Sequence, residues 1–422
     1  MNFIKTATNY HDLSSMPLGW KKSYVKYLGN YINGYPFKPD NWSFQGKPIL
    51  RIQNLSNPNA DFNRYEGEIS EAYLVHKGDI LISWSASLGV YKWLGEDAWL
   101  NQHIFKVEIN TKLVFEEYFV WLASWFIKEL EHKAHGSTMQ HLTWNAFGNF
   151  PVLLPPMPEQ KAIAHYLDKE TAKIDQLIEA KKRLLELLDE KRRALITHAV
   201  TRGLNPDVPM RDSGVEWIGE IPKHWEILPL RRILKKMDYG ISESVGSEGN
   251  IAVLRMGDID EGEIFYDNVG FVDDVDHDLI LTANDLLFNR TNSLDKIGKV
   301  AIFRNNYSFP VSFASYLVRM RCNDSVIPEY LNYLLNSLPV LTWAKSNALP
   351  AIGQVNLNPN RYSYVNIPIP PIEEQLNIKT YINAKIKQIK KLCSSSEETI
   401  KLLQERRTSL ITAAVTGQLK IS

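Results

Sequence analysis

The chain has 422 residues, with 48 lysines and arginines against 48 aspartates and glutamates, so no basic excess announces a sequence-independent grip on nucleic acid. It is 44% hydrophobic and 23% charged, has no apolar run of the roughly 18 residues that suggest a bilayer span, and opens without the basic-then-apolar pattern of a secretory leader, so a cytoplasmic protein with no membrane partner is expected. Two cysteines, Cys322 and Cys393, exclude a disulfide framework and a Cys-rich zinc site, and the length suits two or more domains.

Residues 1–154 read as a globular α+β head. The runs KPILRIQNLS, GDILIS and HIFKVEI have the short apolar or alternating pattern of strands, and a helix is expected near Phe115–Leu130. Two polar loops of this head are candidate DNA contacts: SWSASLG (83–89), with Ser83 and Trp84, and HGSTMQHLTWN (135–145), with Ser137, Gln140 and His141. Glutamine and histidine have the donors and acceptors to read base edges, Trp84 offers a stacking face, and the amides beside Gly136 can approach phosphate. Ordinary surface loops over a core tryptophan are the competing reading.

Pro155-Pro156 ends the head, and residues 155–204 follow as a helical spacer, since no proline or glycine interrupts Glu159–Arg202. Residues 205–369 hold a linker and a second head. Its strands are expected in NIAVLRMGDI, NDLLFN and SYLVRMRC, and its helix near Pro328–Leu338. Its loops are NRTNSLDKIGK (289–299), where Asn289, Arg290, Lys296 and Lys299 can grip a guanine or phosphates, and NALPAIGQVNLNPN (347–360), where Gln354 can read a base edge beside Gly353. Pro370-Pro371 then opens a second spacer over residues 370–422.

These parts repeat. Setting 155–204 over 370–419, at a constant offset of 215, gives 19 identities in 50 positions, against about three from average residue frequencies. Each head also opens with a proline and tryptophan, Pro17 with Trp20 and Pro222 with Trp225, while the head surfaces diverge. Apolar residues recur along the first spacer at Ile163, Leu167, Ile174, Leu177, Leu184, Leu188 and Leu195. Along the second they recur at Ile378, Ile382, Ile386, Ile389, Leu392, Ile400, Leu403 and Leu410. This pattern predicts a coiled-coil seam along rods of about 60 Å. Pairing the rods antiparallel buries both stripes; the alternative packs each on its own head. Cys393-Ser394-Ser395-Ser396 marks a possible break in the second rod.

Catalytic motifs are missing from the sequence. Gly46-Lys47-Pro48 and Gly298-Lys299-Val300 lack the rest of a phosphate-binding loop, and no glycine-rich dinucleotide or S-adenosylmethionine loop follows a strand. Asn57-Pro58-Asn59 and Asn358-Pro359-Asn360 lack the second proline of an amino-methyltransferase turn. Asp189-Glu190-Lys191 reads as the solvated face of a rod, and His132 with His135 lacks a third metal ligand. A protein-binding scaffold is the competing non-enzymatic reading.

At PPMPEQKAIAHYLD, its later copy PPIEEQLNIKTYIN, the linker ALITHAVTRGLNPDVPMRDSGVEWIGEIPKHW and the loop GSTMQHL, the chain resembles the specificity subunit of type I restriction–modification systems. It departs from that pattern in the second head, where ALPAIGQVNL replaces the Gly-Ser-Thr form. The resemblance implies two target-recognition domains on two long antiparallel helices with pseudo-twofold symmetry. Each domain would read one half of a bipartite, asymmetric site in double-stranded DNA. It further implies docking of two modification subunits, which bind S-adenosylmethionine, and of two restriction subunits, which use ATP and Mg. This chain would bind no cofactor and catalyse nothing.

Overall fold

The computed structural model describes residues 16–57, 60–85, 87–134, 143–267, 269–351 and 353–421. Two compact units divide the chain: Met1–Lys181 with Glu398–Ser422, and Lys182–Glu397. Each contains one head, the first half of one rod and the second half of the other.

The two heads share a strand plan. In the first, an antiparallel sheet runs Gly29–Asn33, Ile104–Ile109, Ile80–Ser83, Gly89–Lys92. In the second, the order is Leu234–Tyr239, Leu317–Cys322, Leu286–Asn289, Val300–Ile302. All four residues of Ile80–Ser83 and of Leu286–Asn289 are buried, as expected of short apolar runs covered on both faces. A parallel pair recurs beside each sheet, with Ile49 opposite Trp99 and Ala252 opposite Val311. A ribbon joins the start of each head to its end, Lys21–Tyr24 on Pro151–Leu154 and Glu226–Pro229 on Asn366–Ile369. The heads differ in their helices. Glu116–Ala134 is continuous, whereas the second head has Pro328–Leu335 and Leu338–Asn347. Pro339 sits in the first turn of the latter, where its missing N–H costs no helical bond.

The duplicated Glu-Gln pair fastens each head to its rod. Gln160, almost wholly buried, accepts from the Phe115 amide at 2.8 Å and donates to the carbonyls of Leu113 and Pro155 at 3.0 and 2.9 Å. Gln375 does the same in the second unit, accepting from the Ile327 amide at 2.8 Å and donating to Ser325 and Pro370 at 3.1 and 2.8 Å. The preceding glutamates accept from the head tryptophans, Trp20 to Glu159 and Trp225 to Glu374, both at 3.0 Å. Buried amide groups need partners, and these bonds supply them where helix, turn and strand meet.

The rods are single helices, Met157–Arg202 of 46 residues and Ile372–Val415 of 44. The break expected at Cys393-Ser394-Ser395-Ser396 is absent. Ser396 is 3% exposed, so burial of one face outweighs the weak helix propensity of serine. Three seam assignments also need correction, because Leu177, Leu184 and Leu392 are exposed. The covered positions step by fours and threes instead: Leu167, Thr171, Ile174, Ile178, Lys181, Leu185, Leu188, Arg192, Leu195, Ala199. On the second rod they are Ile382, Ile386, Ile389, Cys393, Ser396, Ile400, Leu403, Arg407, Leu410, Ala414. That is a seven-residue repeat of covered positions with polar side chains admitted at some of them.

Within the first unit, Leu167 shares a core with Ile411, Ala414 and Val415, and Asp175 pairs with Arg407 at 2.9 Å. The rods therefore run in opposite directions there. In the second unit Ala199 and Val200 share a core with Ile378 and Ile382. Each rod ends at a glycine in the left-handed region, Gly203 at φ 77° and Gly417 at φ 76°, packed on Trp225 and Trp20 respectively.

Candidate nucleic-acid interface

The sheet of each head ends in a residue pair that turns the chain outward, and the first member of each pair faces in. Ser83 is fully buried and donates to the Ser87 carbonyl at 2.5 Å. Asn289 is fully buried and donates to the Met256 carbonyl at 3.0 Å, as does Asn292. Both shape the loops from inside, and the expectation that they touch DNA is corrected accordingly: a central strand buried on both faces carries its last side chain into the core.

The second members, Trp84 and Arg290, hold matching places beside the end of the neighbouring strand. Trp84 donates to Asn33 Oδ1 at 3.1 Å and stacks on Phe105 with ring centroids 5.8 Å apart. Trp144, 52% exposed, lies 6.0 Å from the same ring. This aromatic platform was missed in the sequence, although Trp144 sits in the polar loop ahead of the rod. Such a platform suits stacking on a base. Beside it, burial raises the Tyr31 phenol well above its usual range, and its hydroxyl donates to the Val25 carbonyl. Ser137, Gln140 and His141 lie outside the described residues.

In the second head the Arg290 guanidinium donates to Asn356 Oδ1 at 3.2 Å and more weakly to the Ser315 carbonyl at 3.4 Å, with the Tyr239 ring 5.2 Å away. Gln354 stands nearby, its amide 4.0 Å from the Met256 sulfur. The loop 347–360 is more ordered than its composition suggests. Leu349–Ala351 and Gln354–Asn356 form a hairpin added to Thr291–Asn292. Lys299 is committed to an ion pair with Asp260, and Lys296 is half-exposed. The structure thus brings Arg290 and Gln354 together and sets Lys299 on a carboxylate.

Among the described residues, no three His, Cys, Asp or Glu side chains are grouped to hold a metal, and no helix is long and apolar enough to cross a membrane. Asp189 pairs with Arg192 and Arg193 at 2.9 and 2.6 Å, in keeping with a charged helix face. Burial pushes the Cys322 thiol up to about 12, which keeps it protonated and a poor nucleophile.

Residues 17–187 match the family described as type I restriction modification DNA specificity domain. The match lies within the first head and the first rod. It is 25% identical over 385 residues to the EcoBI specificity subunit of Escherichia coli, covering 88% of this chain and 80% of that protein. In fold it is similar to a chain from a type I R-M system, with a TM-score of 0.71 at 14% identity over 96% of this chain and 99% of the other. A second similar structure is the HsdS subunit from Thermoanaerobacter tengcongensis, with a TM-score of 0.53 at 15% identity over 96% and 98%. The matched segment includes Trp20, Glu159 and Gln160, so the family pattern covers the fastening of the first head.

Proposed function

We propose that this chain is the specificity subunit of a type I restriction–modification system, reads a bipartite, asymmetric site in duplex DNA, one half per head, and carries two modification subunits, with two restriction subunits joining them in the full complex. The working division is 1–154 and 205–369 for recognition, and 155–204 and 370–422 for an antiparallel coiled-coil spacer with pseudo-twofold symmetry. S-adenosylmethionine, ATP and Mg belong to the partner subunits, and the assembly works in the cytoplasm.

One observation carries this reading. The two heads share a strand order and an identical Glu-Gln fastening, yet at matching places they present a tryptophan platform and a guanidinium. Two like frames with unlike chemistry suit a reader of two unlike half-sites, and a rigid spacer between readers fixes half-site spacing. Neutral overall charge agrees with phosphate contacts being supplied largely by partner subunits.

The test is a head exchange. The chain with residues 1–150 replaced by those of another specificity subunit is co-purified with its modification subunit, and methylated positions are mapped. The expected result is a discontinuous sequence in which one half changes and the other stays. A change in neither half, or in both, overturns the modular reading.

A further inference from the structure

The second head carries a projecting two-stranded ribbon. Leu349 lies opposite Asn356, Pro350 opposite Val355 and Ala351 opposite Gln354. Leu349, Pro350 and Ala351 are all exposed, and Leu349 keeps 63% of its surface. At the tip Gly353 has φ 70°, and a side chain added there would meet nothing within 4 Å. The ribbon therefore stands clear of the head and is held by its inner strand. Asn356 pairs with Thr291, and the Leu357 amide donates to the Arg290 carbonyl at 2.8 Å.

Its outer edge carries Pro350, which removes a donor and suits an edge that does not accept another strand. That counts against a protein partner docking by strand addition. The dimensions fit another occupant, since the major groove of B-DNA admits a two-stranded ribbon. The polar groups are placed for it. Arg290 at the foot spends one hydrogen of each terminal nitrogen on Asn356 and Ser315, which leaves the second hydrogen of each for a base edge, while its Nε–H is buried. The Gln354 side chain forms no hydrogen bond to nitrogen or oxygen among the described residues. Lys345 on the helix before the ribbon and Arg361 after it are exposed, where phosphates would flank the groove.

We propose that the second head reads its half-site by laying the ribbon 349–356 into the major groove, with Arg290 donating to a guanine and Gln354 reading an adjacent base edge. This rests on the DNA-reading function proposed above. It assigns the two heads different means of reading, because the place of Arg290 is taken in the first head by Trp84.

The test uses the chain in complex with its modification subunit, acting on a DNA library with every position of both half-sites randomised. The head exchange identifies which half belongs to the second head. Arg290→Ala and Arg290→Lys are each expected to cut discrimination for guanine at one position of that half by roughly 10- to 100-fold, since lysine keeps the charge and loses the fork. Gln354→Ala, on an exposed hairpin and safe for folding, is expected to relax a neighbouring position. The first half-site should be read as before. The ribbon assignment is overturned if all three variants read both halves as the wild type does, if Arg290→Lys behaves as wild type, or if all sites weaken equally. If the wild-type complex methylates without sequence preference, the failure lies with the DNA-reading function itself.

Discussion

Arg319 is the largest charged side chain to be wholly enclosed among the described residues, and it shows how the second head tolerates a charge in its core. It donates to Asp238 at 2.6 Å and to the Ile280 carbonyl at 3.2 Å, and Asp285 lies 3.9 Å away. Replacing it with alanine leaves Asp238 with Lys236 at 3.2 Å and Asp285 with Arg321 at 2.9 Å, and strips both the Ile280 carbonyl and Asp238 of a buried donor. Arg319→Ala is therefore expected to destabilise the second unit by about 1–3 kcal/mol, read as a lower denaturant midpoint for that unit; an unchanged midpoint would falsify this account. Gln375→Ala poses a comparable case. It strips an acceptor from the Ile327 amide and a donor from two carbonyls, a loss of about 3 kcal/mol in all. Hydrogen exchange should quicken around residues 325–327 and leave the Gln160 junction as it was. At this scale the sequence was legible only in part. Glu159-Gln160 and Glu374-Gln375 stood out as a repeated pair, but their task depends on amides about 45 residues upstream. Ser83 and Asn289 looked like loop residues, and only the strand's two-sided burial shows that they point inward.

Among the elements, the rods were the most legible, because long uninterrupted amphipathic stretches leave few alternatives. Their register was less so. Leucine is frequent on both faces of the first rod, and choosing by residue type selected Leu177 and Leu184, while the true seven-residue repeat passes through Ile178 and Leu185 and accepts Thr171 and Arg192. Burial at Leu188 has an energetic consequence. Leu188→Asp, with Leu403→Asp, forces carboxylates into the covered face, a penalty of several kcal/mol, and is expected to abolish co-elution with the modification subunit on gel filtration. Leu177→Asp changes a side chain that is 53% exposed and should leave the melting temperature of the chain within about 1 °C. Equal effects from the two positions would contradict the seam. The hairpin 349–356 was read as a loop because Ala-Leu-Pro-Ala lacks the alternation of a strand; its pairing comes from the neighbouring Thr291–Asn292.

For the whole molecule, duplication was visible in the sequence through the constant offset of the rods, whereas the likeness of the heads was visible only in the order of their parts. The strand orders match throughout the main sheets, although the side chains on them differ. This divergence is what makes the head exchange informative. If the frame is common and the reading surface separate, a transplanted head keeps its own preference and leaves its neighbour's intact. The same comparison explains why the contact residues were hard to choose: loops that read DNA obey no residue code, and their burial is set by strands far away in the chain.

The first unit is built from two separated stretches of chain, and this sets the order in which it can mature. Ile411, Ala414 and Val415 belong to its buried core, and Leu419 and Ile421 pack against that core. A nascent chain leaves the ribosome from its N-terminus, and domains usually fold in that order. Here the earlier-made head must wait with an open hydrophobic face until translation has passed residue 421. The second head, whose stretch Lys182–Glu397 is continuous, can close sooner. The head made first is completed last, and during that interval it is the part most in need of protection from aggregation.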